Sequence, residues 1–323
     1  MGYRNSTRFA LSSCAAAGLL AGCGGPQPPT DSPIAAQQGR PVTSTDSGIV
    51  QRAVSRDVLL YVTDPNDNLV YMVSLPTGKL VGKLTGFNQP LNDCSDAAGN
   101  VYIVDSQDGQ VRAYKHGVKS AFRVLSVHGY IPTGCSVDPT TGDLAVASCC
   151  GSPNGSLAVF KKAQGSPKYY SFEGYWYCTY DGAGNLFANA TTNGSSNFNV
   201  VELPRGKNKL ATVTLNPPVY GGSGLAWDGS SLAIANDSPS AIYQYAINGA
   251  RGVRTHTTKI SGGKPFAMFY VLSSGKSRTL YATIIENSVV SVGVYKYPKG
   301  GNALQKLYDA VGPYGVTVST RTP

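Results

Sequence analysis

A repeat of 41 to 48 residues constrains the fold of this chain more than any other feature of its sequence. Six short apolar runs recur, as LLYVTD (59–64), VYIVD (101–105), LAVAS (144–148), LFANA (186–190), LAIAND (232–237) and LYATI (280–284). The spacing follows from aligning one position of each repeat, at Cys94, Cys135, Cys178, Leu225, Met268 and Val316. A period of this length with about four strands per unit is typical of a β-propeller blade.

The composition and the two ends of the folded region agree with this architecture. The 323 residues include 38 Gly and 20 Pro, which suits many short strands joined by tight turns. The first repeat lacks an inner strand, and the segment PYGVTV at 313–318 resembles the missing one but has no outer strands after it. Pairing it with the first run would remove two open sheet edges. We therefore predict an all-β fold, a six-bladed β-propeller closed by pairing of its N- and C-terminal strands in one blade.

One repeat carries a family resemblance. The pattern P-x-G-C-S-V-D-x-x-x-G-D-L-A-V-A at 132–147 resembles the NHL and SMP-30/gluconolactonase-like six-bladed propellers, over about residues 57–320. The SMP-30-like resemblance implies a metal-dependent hydrolase with a metal on the top face and a glutamate near the opening of the first blade. Here that opening reads SRDVLLYVTD, and the three glutamates of the chain are Glu173, Glu202 and Glu286. This departure favours a non-catalytic reading over the hydrolase alternative.

The N-terminus has the pattern of an export signal. Arg4 and Arg8 precede a short apolar stretch at 9–20, and LAGC follows at 20–23. LAGC resembles the lipobox of bacterial lipoproteins, which implies cleavage before Cys23 and lipidation of that residue; an ordinary secretory signal with a chance cysteine is the alternative. We predict a signal peptide at 1–22, a Gly/Pro/Ser/Thr-rich tether at 23–56 and the propeller at 57–323. Gly24 after Cys23 favours the outer membrane of a bacterial envelope.

The loops at the top rim of a propeller, which join each outer strand to the next inner strand, are the first place to seek a ligand site. Aromatic faces near a carboxylate can stack on a flat ligand. The alternative is that these rings plug the channel. The candidate ligand-binding residues are Tyr130, Glu173, Tyr175, Trp176, Tyr177, Tyr220 and Tyr314.

Four oxygen-bearing side chains lie near the ends of the second strands, at Asp64, Asp105, Asn189 and Asn236. As a ring they could hold a divalent cation such as Ca²⁺, the one cofactor that the sequence leaves open. The alternative is structural, since Asp and Asn readily tie down turns by accepting backbone hydrogen bonds. The chain shows no nucleophile motif, phosphate-binding glycine loop or spaced Cys-His zinc signature. Enzyme activity is therefore uncertain, and its absence is favoured.

An exported protein can form disulfides. Cys94, Cys135 and Cys178 occupy one repeated position in neighbouring blades, which we expect to stand roughly 10 Å apart, too far for a direct bridge. We predict instead a bridge from Cys149 or Cys150 to Cys135 or Cys178. Buried free thiols and a Cys-rich metal site are the alternatives.

The net charge of +9 falls to +7 once Arg4 and Arg8 leave with the signal. Many of the basic residues lie in the outer hairpins, where lysines discourage edge-to-edge pairing of sheets; binding of anionic lipid or polysaccharide is the alternative. The export signal disfavours nucleic acid as a partner. The predicted partners are the membrane, through the N-terminal lipid, and an unknown ligand or envelope protein. The sequence thus favours a lipid-anchored envelope module that binds without chemistry.

Overall fold

The computed structural model describes residues 58–75, 77–128, 130–151, 155–171, 176–190, 198–274, 277–307 and 312–320. Within these ranges the chain forms 24 strands and one short 3₁₀ turn at Lys161–Ala163. In this part of the chain there is no helix of the length and apolarity needed to cross a bilayer.

Four of the sheets have four strands each, in consecutive order from the innermost strand outward. One holds β1 (Val58–Asp64), β2 (Leu69–Leu75), β3 (Lys79–Leu84) and β24 (Val316–Ser319), in the order β24-β1-β2-β3. The next holds β4 (Pro90–Ser95), β5 (Val101–Asp105), β6 (Gln110–Tyr114) and β7 (Ala121–Ser126). Another holds β8 (Tyr130–Val137), β9 (Leu144–Gly151), β10 (Ser156–Phe160) and β11 (Lys168–Ser171). The fourth holds β20 (Lys264–Ser274), β21 (Ser277–Glu286), β22 (Val289–Tyr297) and β23 (Gln305–Lys306).

The remaining eight strands form one continuous sheet instead of two separate blades. Its first run holds β12 (Cys178–Tyr180), β13 (Leu186–Ala190), β14 (Asn199–Leu203) and β15 (Ala211–Asn216). Its second run holds β16 (Gly222–Trp227), β17 (Leu232–Asp237), β18 (Ser240–Asn248) and β19 (Arg251–Lys259). The outer strands β15 and β19 pair in parallel, from Thr214 opposite Arg251 to Asn216 opposite Val253. The prediction of six separate blades is therefore confirmed only as an all-β, propeller-like arrangement, because the nine-residue β19 extends far enough to meet its neighbour's edge.

The predicted joining of the chain ends is present. Strand β24 pairs with β1 in antiparallel register, with Leu60 opposite Val318 and Val62 opposite Val316. The innermost strands also contact one another in a closed cyclic order, β24, β4, β8, β12, β16, β20 and back to β24. The last strand of the chain thus completes the first sheet and fills its place around the axis.

The core lies between neighbouring sheets, so both faces of each middle strand are buried. In β1, Leu59 and Tyr61 pack into the cluster shared with β5, whereas Leu60 and Val62 pack on the opposite side against β21 and β22. This explains why the repeated runs are apolar at every position and do not alternate.

Candidate functional site

The register of the inner strands fixes which side chain occupies each equivalent position. In five of the repeated apolar runs the third residue pairs with the inner strand at Asp93, Cys135, Cys178, Leu225 and Phe269. The first run is one residue longer at its start, and its fourth residue, Val62, pairs with Val316. The sequence alignment of Cys94 and Met268 with this position is therefore wrong by one residue. Because side chains alternate along a strand, a shift of one residue turns each side chain to the other face of its sheet.

This shift explains the disulfide of the structure, which joins Cys94 to Cys135. Both cysteines face the space between the sheets of β4 and β8, and their Cα atoms are 5.7 Å apart. The expectation that these residues stand too far apart to bridge is wrong, since they occupy non-equivalent positions that point toward each other. Cys135 is thus bridged as predicted, but to a different partner.

The other predicted partner of the Cys149–Cys150 pair is a buried free thiol. Cys178 donates to the carbonyl of Ala145 at 3.8 Å, and burial raises the pKa of its thiol to about 12. Cys149 is buried in β9 and is bridged to neither Cys135 nor Cys178. The side chain of Cys150 lies outside the described residues. The predicted bridge from this pair to Cys135 or Cys178 is therefore wrong, and the thiol of Cys178 is in the protonated, unreactive form.

The top end of the channel is closed by two of the candidate tyrosines. The hydroxyls of Tyr177 and Tyr314 lie 3.3 Å apart. They precede β12 and β24, which stand three steps apart in the cyclic order of inner strands, so the pair spans the axis. Phe266 packs edge-on against Tyr314, with ring centroids 5.5 Å apart. Burial raises the pKa of both tyrosines, which keeps them neutral.

The backbone is also closely packed at this end. A Cβ atom on Gly134 would meet the carbonyl oxygen of Trp176 at 2.8 Å, and one on Gly224 would collide with the carbonyl oxygen of Ala267. Only glycine permits such an approach. These rings and contacts match the plug interpretation of the aromatic residues.

The remaining aromatic candidates do not converge with this pair within the described chain. Trp176 and Tyr220 are exposed, with 39% and 58% of their surface accessible. Glu173, Tyr175 and the side chain of Tyr130 lie outside the described residues.

The four oxygen-bearing residues hold loops in place. Asp64 accepts hydrogen bonds from the amides of Asn66 and Asp67 in the turn after β1. Asn236 accepts from Ser238 and donates to the carbonyl of Tyr220. The other two accept from top loops, Asp105 from Asn88 and Asn189 from Trp176 and Tyr177. Their contacts are those of the structural alternative, and among the described residues no three His, Cys, Asp or Glu side chains form a group that could hold a metal ion.

A central cavity of about 400 Å³ lies at the other end of the inner strands, where each turns into its second strand. Its wall includes Tyr180, Trp227, Phe269 and Tyr270, together with the disulfide-bonded Cys94 and Cys135. The prediction directed attention to the top rim, whereas the described cavity lies toward the lower one. Its volume is within the range of small-molecule sites.

Three aspartates are among the residues of the cavity wall, and the carboxyl groups of two of them hold turns. Asp181 accepts hydrogen bonds from the amides of Ala183 and Asn185. Asp228 accepts from the Tyr297 hydroxyl at 2.6 Å and pairs with Arg278 at 3.1 Å. Burial raises the pKa of Asp228, but the hydrogen bonds from Tyr297 and the turn amides, together with the Arg278 charge, outweigh it. The net effect is a pKa below the usual value.

The third carboxyl group, Asp93, has no such role. It is 1% exposed, and neither carboxylate oxygen accepts a hydrogen bond from another described residue. Burial raises the pKa of Asp93 well above its usual value, against a weaker opposing effect of its own backbone amide. Asp93 was not among the predicted site residues, although DCSD at 93–96 contains the signal: an acidic residue at a position that is apolar or cysteine in the other five repeats.

The small polar side chains of the wall connect neighbouring inner strands. Ser136 accepts a hydrogen bond from the amide of Tyr180, and Thr179 accepts one from the amide of Trp227. Ser95 donates to the carbonyl of Val318, and Tyr270 is hydrogen-bonded to the same serine. These groups have structural partners, which leaves Asp93 as the carboxyl group of the wall without one.

No protein-family model and no curated protein matches the chain. Solved structures do match it. A protein of unknown function from Bacteroides caccae is 13% identical, with 81% of this chain and 99% of its own covered at a TM-score of 0.61. A chain of a Nidogen/Laminin complex is 14% identical, with 82% and 100% covered at 0.62. A functionally unknown protein from Desulfotomaculum acetoxidans is 8% identical, with 82% and 99% covered at 0.58. At these identities the likeness concerns the fold alone, a propeller-like all-β arrangement.

Proposed function

We propose that this protein is a lipid-anchored binding protein of the bacterial cell envelope, a six-bladed propeller that holds a small ligand in its central cavity without chemistry. The observation that carries the proposal is the cavity itself: about 400 Å³, walled by aromatic side chains and open at one end of a channel whose other end is plugged. Concave sites with apolar walls and a few polar groups are the usual form of small-molecule sites.

The cyclic order of the inner strands supports six blades, with the eight-stranded sheet counted as two blades fused at their outer edges. The pairing of β15 with β19 involves three residue pairs at the rim, far from the axis. Such a fusion leaves the channel and the cavity walls unaffected.

The two tryptophans of the chain provide a test, since Trp227 lies in the cavity wall and Trp176 lies at the top end. The variant Trp176→Phe leaves Trp227 as the reporter, and Trp227→Phe leaves Trp176. We expect 2-phenylethanol, phenethylamine or 3-phenylpropanoate, at millimolar concentration, to change the fluorescence of Trp176→Phe in a saturable way and to leave Trp227→Phe unchanged. A response from Trp176 alone would move the site to the top loops, and no response from Trp227 to any of the three would overturn the cavity as a ligand site.

The lipid anchor rests on LAGC at 20–23 and the preceding apolar segment. Because acyl chains drive membrane attachment, we expect the full chain expressed in a bacterial host to partition into the detergent phase of Triton X-114 and to carry the mass of the lipids at Cys23. Cys23→Ser should move it to the aqueous phase, whereas Cys178→Ser, at a buried thiol, should not. Wild-type protein without the added mass would contradict the anchor and leave the cavity proposal in place.

A further inference from the structure

The fold gives no structural reason for a carboxyl group at position 93. The equivalent residues on the other inner strands are Cys135, Cys178, Leu225, Phe269 and Val316, all buried. Burying a carboxylate without a partner is costly, and such a group normally has hydrogen bonds or an opposite charge. Asp93 has neither from the described residues.

The surroundings of Asp93 indicate which class of ligand would pair with its carboxyl group. Of the described residues in the cavity wall, none is Lys, Arg or His, whereas three are Asp. Asp228 is paired with Arg278, which leaves Asp93 and Asp181 as the acidic residues of the wall without an ion pair, although the whole chain carries +9. Aromatic faces attract cations through their negative π-clouds, and Trp is the strongest of them. The wall offers Trp227, Tyr180 and Tyr270 for this purpose.

We propose that the cavity binds a small organic cation, a protonated amine whose ammonium group pairs with the Asp93 carboxylate, once that buried side chain turns toward the cavity, while the apolar body of the amine lies against the aromatic wall. This inference rests on the proposed function and specifies its ligand class. An anion would face the carboxyl groups of Asp93 and Asp181, and no basic side chain of the described wall would pair with it. An uncharged ligand would leave the Asp93 carboxylate buried and unpaired.

A metal ion fits this place less well than an amine. Divalent cations such as Ca²⁺ take six to eight oxygen ligands. Two hydroxyls of the wall, that of Ser95 on the same strand and that of Thr317 on the neighbouring strand, are already engaged, since Thr317 donates to Ser95 and Ser95 donates to the carbonyl of Val318. One carboxylate and an aromatic wall match an ammonium group with an organic body.

The test compares three probes of similar shape and different charge in the Trp176→Phe background at pH 8: phenethylamine, 2-phenylethanol and 3-phenylpropanoate. We expect the amine to bind at least tenfold more tightly than the alcohol, and the acid more weakly than the alcohol. Asp93→Asn should lower the affinity for the amine to that for the alcohol and leave the alcohol unchanged. Asp143→Asn, which removes the same charge from a turn outside the cavity wall, should keep the selectivity for the amine.

A second variant guards against a folding defect in the first. Asp93→Val introduces the residue found at the equivalent position of β24, and it should show the same loss of amine selectivity. Equal binding of amine and alcohol by the parent protein, or amine selectivity retained in both Asp93 variants, would overturn the inference while the cavity remained a binding site. If none of the three probes binds, the proposed function itself fails.

Discussion

The two ends of the central channel are built from the same six inner strands, yet one is closed and the other is open. At the top end, glycines let neighbouring backbones touch, and Tyr177 and Tyr314 meet across the axis. At the lower end, the same strands line the central cavity, and the buried Asp93 of its wall has no partner among the described residues. The difference shows that closure of the channel at one end depends on the residues present at that end and does not follow from the fold.

Side chains at the top end also bind the sheets to one another. Thr63 donates to the carbonyl of Leu91 at 2.7 Å, and Thr133 donates to that of Trp176 at 2.9 Å. Ser223 makes the same kind of contact with Pro265. Such contacts add hydrogen bonds between neighbouring sheets, which stabilises the top end.

At the cavity end, the corresponding connection between two sheets is covalent. By register, Cys94 is equivalent to Ser136 and Thr179, whose hydroxyls accept hydrogen bonds from the next inner strand. The Cys94–Cys135 disulfide takes the place of such a hydrogen bond between β4 and β8.

The largest effect is expected from removing this disulfide. In the double variant Cys94→Ala/Cys135→Ala, the free energy of unfolding should fall by about 2–5 kcal/mol, because a closed loop of 41 residues no longer restricts the unfolded chain. Ser136→Ala, which removes only a hydrogen bond, should cost about 1 kcal/mol. Chemical denaturation of the purified protein measures both. Equal losses in the free energy of unfolding would show that the disulfide contributes no more to stability than a hydrogen bond does.

A smaller effect of opposite sign is expected from Asp93→Asn. The folded protein holds a proton on Asp93 over a pH range in which the unfolded chain has already released it, because burial raises the pKa in the folded state. Stability is therefore fully present below the unfolded pKa and falls as pH rises through the folded pKa. At pH 8, without ligand, Asp93→Asn should gain about 1–3 kcal/mol, and this gain should vanish toward pH 3.

The matched control lies at the closed end. Tyr177→Phe removes one hydroxyl contact and should lose about 1 kcal/mol. Because the raised pKa of Tyr177 lies above this range, the loss should be equal at pH 5 and pH 8. Thermal unfolding across the pH series separates the two variants. A pH-independent gain for Asp93→Asn would contradict the burial of an ionisable, unpartnered carboxyl group.

The sequence predicted the global features of the fold because these repeat. Six apolar runs and a spare strand at 313–318 were enough to predict an all-β ring and the pairing of the last strand with the first run, in which Val62 lies opposite Val316. Features that depend on one residue of register were not predictable in this way. The alignment of Cys94 with Cys135 concealed both the disulfide and the unusual carboxyl group beside it, since one step along a strand reverses the face. The pairing of β15 with β19 depends on strand length, which the apolar pattern does not encode.

The joining of β24 to β1 has a consequence for how the protein is made. Tyr61 and Thr317 are paired neighbours although they are 256 positions apart in the sequence. The first sheet therefore stays incomplete until the ribosome has synthesised β24. A chain stopped before Val316 would expose the edge of β1 and leave a gap in the ring between β20 and β4. The edge of β1 therefore reports whether residues 316–319 have been made: a copy that stops before them would present this edge unpaired, and a copy that contains them would not.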